Sequence, residues 1–122
     1  MEHIVIAIIA VFFAGLGVVC YLQPGIVARY YRHAPPNADM RNEIRSLYGG
    51  LCIAFAAAGF AAFWLGHLVL PVLFCYGLSL LGMAAGRLGS LVLERTSIKP
   101  IIFLALELVL GSVSLYLFAA HT

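Results

Sequence analysis

Charge is what this sequence has least of. Asp, Glu, Lys and Arg make up only 10% of its 122 residues, against about 25% in soluble domains. Hydrophobic residues reach 64%, more apolar surface than a soluble fold of this length can hide. A net charge of +2 gives no extended basic surface, so nucleic acid is not an expected partner. Cysteine is sparse too. Cys20, Cys52 and Cys75 form no CxxC pair and show no metal spacing, and they read as small packed apolar residues. The chain has no nucleophile–base motif, no phosphate loop and no HExxH. No catalytic residue is assigned, and the sequence reads as a non-enzyme, with an enzyme kept as the alternative. The length fits one domain, residues 1–122.

What is present is four long apolar stretches. The expected helices cover residues 4–22, 38–65, 68–93 and 100–120. The first, Ile4 to Leu22, reaches about 28 Å, close to one bilayer core. No Lys or Arg precedes it and it is longer than a signal-peptide core, so it reads as a retained helix. Gln23-Pro24-Gly25 ends it. Residues 23–41 form the one long connection, where Arg29, Arg32 and Arg41 with Tyr30 and Tyr31 suit a segment at the headgroups. Asn37 or Asp39 caps the second helix. Gly66-His67 is a tight turn, Pro71 sits in the first turn of the third helix, and Pro100 begins the fourth. Short links make the last three helices antiparallel neighbours. The fold class is all-α, a four-transmembrane-helix antiparallel bundle.

Orientation follows from Lys and Arg. One side holds both chain ends and Gly66-His67 and has none; all seven lie on the other. The positive-inside rule places that second side in the cytoplasm and both termini outside, in a cell inner membrane. Small residues recur every fourth position at Gly50, Ala54, Ala58, Ala62 and Gly66, and again at Gly82, Gly86 and Ser90. Such stripes let helix backbones approach closely in lipid. They are expected to face each other within the bundle, with a seam between two copies as the alternative.

Two ionisable residues lie well inside the apolar stretches. Arg87 sits about six residues from the cytoplasmic end of the third, and Glu107 seven residues after Pro100 in the fourth. Both are about 10 Å into the membrane. Intramembrane charges are costly and are usually paired or line a cavity. Arg87 is therefore the first-choice partner of Glu107. Glu43, Arg45 and Tyr48 lie near the same boundary. With Arg87, Ser90 and Glu107 they form the candidate polar pocket. It reads as a packing joint, or as a pocket for a lipid or quinone head group; a proton path would need further ionisable residues along these helices. His3, His67 and His121 share the outer side, but two lie at chain ends, and no metal ligand set is assigned.

These positions also carry a resemblance. Asn42-Glu43-Ile44-Arg45 with Tyr48-Gly49-Gly50-Leu51, Gly86-Arg87 with Ser90, and Glu107 with Gly111 resemble, in order, the marks of domain-of-unknown-function family 4345. The resemblance implies a small bacterial four-helix membrane protein, DoxX-like in architecture, with no established activity. Some DoxX-like proteins accompany quinone-linked oxidoreductases. Expected partners are membrane lipids, a second copy or a larger membrane complex.

Overall fold

In the computed structural model, which describes residues 1–95 and 97–122, the chain is all-α, and the described residues contain no strand. Helix α1 is Glu2–Leu22, α2 is Gly25–Tyr30, α3 is Ala38–Trp64, α4 is Val69–Leu93 and α5 is Ile98–Ala120. Four helical segments are long and apolar enough to cross a membrane: α1, α3, α4 with the 3₁₀ turn before it, and α5. At about 1.5 Å per residue the shortest, α1, spans about 30 Å. Large apolar side chains stand outward along them: Val11, Val92 and Val109 are all well exposed. In a multi-pass protein these are the lipid-facing residues. Trp64, 80% exposed at the end of α3, occupies the kind of position where indole prefers a membrane interface.

Several boundaries differ from the sequence reading. Helix α1 begins at Glu2, whose carboxylate in the first turn complements the helix dipole. Helix α5 begins at Ile98, two residues ahead of Pro100. The first turn of a helix has no intrahelical acceptors for its N–H groups, so proline is tolerated there. Asn37 is the cap of α3: its Oδ1 accepts from the Met40 amide at 2.8 Å. The long connection contains α2, which the composition did not announce.

Helix α2 closes in a Schellman arrangement. The His33 amide donates to the Ala28 carbonyl at 2.8 Å and the Arg32 amide to that of Arg29 at 3.1 Å. The left-handed position falls on Arg32, with φ 56°. Glycine adopts that conformation freely, whereas a residue with a Cβ is strained by about 1–2 kcal/mol. Arg32→Gly should therefore raise stability by about 1 kcal/mol, read from thermal unfolding in mild detergent. An unchanged or lower midpoint would mean that the arginine side chain contributes more than the backbone strain costs.

The chain divides into two compact units, Ala7–Ala61 and Met1–Ile6 with Ala62–Thr122. In the first, α1 and α3 run antiparallel in backbone contact. A Cβ on Gly17 would stand 2.9 Å from the Ile53 nitrogen, and one on Gly49 would stand 3.2 Å from the Tyr21 Cα. A Cβ at Gly17 would force the two backbones apart, and one at Gly49 would make Tyr21 give by a few tenths of an ångström. Phe13 stacks on Phe55 at 5.3 Å in the same layer. Part of α3, Ile44–Gly50, is a π-helix, so its hydrogen bonds skip one residue more than in an α-helix. The Leu51 amide, for instance, donates to the Ser46 carbonyl.

In the second unit α4 packs antiparallel on α5. A Cβ on Gly77 would stand 3.2 Å from the Gly111 carbonyl oxygen, and Phe74 meets Phe118 at 5.0 Å. Leu73, Tyr76, Leu80 and Ala84 form the buried face of α4, with Leu104, Glu107, Gly111, Ser114 and Leu117 on α5. Spacings of three and four residues make each set one helical face.

The small-residue stripes are corrected by this arrangement. Gly50, Ala54, Ala58 and Gly66 are exposed and only Ala62 of that stripe is buried, while Gly82, Gly86 and Ser90 are all exposed. A Cβ on Gly82 or Gly86 would touch nothing within 4 Å. The close contacts run instead through Gly17, Gly49, Gly77 and Gly111. Segment 51–64 carries alanine or glycine around most of its circumference, so spacing alone could not choose its packed side.

Candidate functional site

The two charges that lie within the apolar spans meet on the α4–α5 face. The Nε–H of Arg87 is shared by both carboxylate oxygens of Glu107, at 2.9 and 2.8 Å. Glu107 is 5% exposed; the Arg87 side chain keeps 26% of its surface. The pair joins the acid on α5, enclosed in an apolar stripe, to a base that still reaches outward. Phe103, one turn before Glu107, lies under the guanidinium, with Cζ 5.2 Å from the ring centre. The ring face carries partial negative charge and holds the cation from its second side. Phe103 was not singled out by sequence, although its position four residues before Glu107 on the same face was the available signal.

Nearby polar atoms are satisfied locally. The buried Ser114 hydroxyl donates to the Leu110 carbonyl at 2.7 Å. Among the described residues no buried side-chain nitrogen or oxygen lacks a hydrogen-bond partner. Ser90 is exposed, and its carbonyl accepts from the Glu94 amide at the end of α4.

Glu43, Arg45 and Tyr48 belong to the other compact unit, and all three are exposed. Arg45 donates its Nε–H to the Tyr21 carbonyl oxygen at 3.2 Å. That oxygen lies in the last turn of α1, where carbonyls have no intrahelical donor. A guanidinium there supplies both a proton and a positive charge at the negative helix end. Beside it opens a groove of about 770 Å³. Asn42, Arg45 and Ser46 line its polar end; Leu47, Leu51 and Ala54 continue it along α3, with Tyr21 contributed by α1. Glu43 and Tyr48 do not line it. Asn42 and Ser46 were not assigned to the site from sequence, because a π-helix shifts which residues share a face.

Two of the three histidines expected to share a side, His121 and His3, have other contacts. His121 Nε2 lies 2.9 Å from the Glu2 carboxylate, and His3 packs edge-on against Phe63 at 5.4 Å. Among the described residues no three His, Cys, Asp or Glu gather to hold a metal ion. Cys20 and Cys52 are buried free thiols, whereas Cys75 is exposed on α4.

A protein-family model described as Domain of unknown function (DUF4345) matches residues 1–118. The chain belongs to this family. No curated protein and no solved structure matches it. The DUF4345 match runs through both compact units and includes the Arg87–Glu107 pair, Phe103 and the groove beside Arg45. For this DUF4345 protein the description is therefore structural: all-α, with four helical segments long and apolar enough to cross a membrane and a charge pair inside its α4–α5 layer.

Proposed function

We propose that this DUF4345 protein is a non-enzymatic accessory or lipid-contacting bundle of a bacterial inner membrane. The observation that carries the reading is the Arg87–Glu107 pair. Each charge offsets the other, and the Phe103 ring faces the base, so the pair serves as a polar joint between α4 and α5. Its use is conformational: it fixes the register of two helices that are otherwise apolar and could slide. Orientation with both termini on the periplasmic side is supported by the one-sided Lys and Arg distribution.

Native mass spectrometry of the full chain released from mild detergent tests this reading. Retained phospholipid or a retained partner chain is the expected result. A bare monomer would overturn it. A second reading, a quinone- or head-group-binding subunit of a membrane oxidoreductase or lipid-modifying enzyme, is favoured by the open groove beside Arg45. Stoichiometric quinone in an organic extract of the purified protein would put it ahead of the first.

A further inference from the structure

We infer that the groove between Tyr21 and residues 42–54 is a binding site for one anionic glycerophospholipid, whose phosphate is held by Arg45. The inference rests on the lipid-contacting reading and names its site and ligand class. Among the described residues the protein partner of Arg45 is one carbonyl oxygen, bonded through Nε. The two terminal nitrogens of the guanidinium, with four further N–H bonds, remain for a ligand. The Asn42 amide and the Ser46 hydroxyl line the same end of the groove. A guanidinium flanked by neutral hydrogen-bonding groups, with no acidic side chain in the lining, selects an anion with several acceptor oxygens.

The rest of the groove decides which anion. Leu47, Leu51 and Ala54 carry it about two turns farther along a membrane-spanning helix, and Tyr21 forms a wall from α1. A free phosphate would use the polar end and leave the apolar end empty. A phospholipid fills both, with its phosphate at Arg45 and the start of an acyl chain along the leucines. The volume of about 770 Å³ lies in the range of small-molecule sites, about 300–1,000 Å³. Charge favours an anionic head group. Residues 7–61 hold Arg29, Arg32, Arg41 and Arg45 against Asp39 and Glu43, an excess of two positive charges. Basic residues beside a membrane attract anionic lipid.

The π-helix is part of the construction. Arg45, Ser46, Leu47 and Gly50 all lie within Ile44–Gly50 and all line the groove. Such single-turn bulges are frequent at functional sites, and they shift which side chains share a face. Gly50 adds no side chain, which leaves the middle of the groove open.

The test uses the full chain in nanodiscs made from equal parts phosphatidylglycerol and phosphatidylcholine, followed by native mass spectrometry. The wild type should retain one phosphatidylglycerol in preference to phosphatidylcholine. Arg45→Gln should lower that retention by about tenfold or more, the loss expected for a charge-assisted bond. Because Arg45 also caps α1, a second variant leaves it in place: Ala54→Phe fills the apolar end and should lower retention comparably. Unchanged retention in both variants would overturn the site while leaving the lipid-contacting reading standing. A wild type that keeps no lipid at all would overturn both. Displacement of the lipid by millimolar inorganic phosphate would assign the site to free phosphate instead.

Discussion

Glu107→Ala should destabilise the protein by about 3 kcal/mol, and the double variant R87M/E107L should recover most of that loss. Removing one member of a buried ion pair leaves the other charge without compensation, a cost of about 3–5 kcal/mol. The lower end applies because the Arg87 side chain keeps 26% of its surface and can turn its head toward the interface. Replacing both members by apolar residues of similar size removes the desolvation cost together with the attraction, and is often neutral. The single variant also leaves a gap beside Phe103. Denaturation in mixed micelles, followed by circular dichroism, reads both variants and their coupling. A double variant no more stable than Glu107→Ala would sink the idea that the pair acts as a two-member joint. It would mean that Glu107 has a second partner which the α4–α5 geometry does not use.

The second large effect is expected at Gly17. A Cβ there meets the Ile53 nitrogen at 2.9 Å and the Gly49 carbonyl oxygen at 3.0 Å. Both are backbone atoms and cannot rotate away, so the helices must separate. Gly17→Ala should cost about 1–3 kcal/mol, the usual range for overpacking. Gly86→Ala provides the opposite sign. No atom lies within 4 Å of its added Cβ, and replacing a mid-helix glycine by alanine favours the helix by about 0.5–1 kcal/mol. The same denaturation assay compares them. Equal effects at the two positions would contradict the backbone contact between α1 and α3.

These two sites differ in how readable they were. The Arg87–Glu107 bond follows from depth alone: each residue could be counted inward from a helix end, and antiparallel neighbours then bring equal depths together. The four spans were legible because length and hydropathy settle what can cross lipid. Gly17 was not legible. It is one of many small residues in the chain, and only the partner surface identifies which of them touch. The regular Gly82–Gly86–Ser90 stripe was more conspicuous and proved exposed. The groove beside Arg45 was half legible. Its charge was visible, but its other lining residues depend on a helical phase that the sequence does not announce.

That phase has a consequence of its own. A π-turn amounts to one residue inserted into an α-helix, and each residue of an α-helix turns the chain by about 100°. The segments Ala38–Glu43 and Leu51–Trp64 therefore do not share one helical wheel. Deleting one residue within Ile44–Gly50 would leave a continuous α-helix in which head and stem keep nearly their present mutual orientation, because the wide turn already absorbs the extra residue. α3 thus carries its own spare residue, one that the apolar stem could lose without being rebuilt and without turning Asn42 to another side.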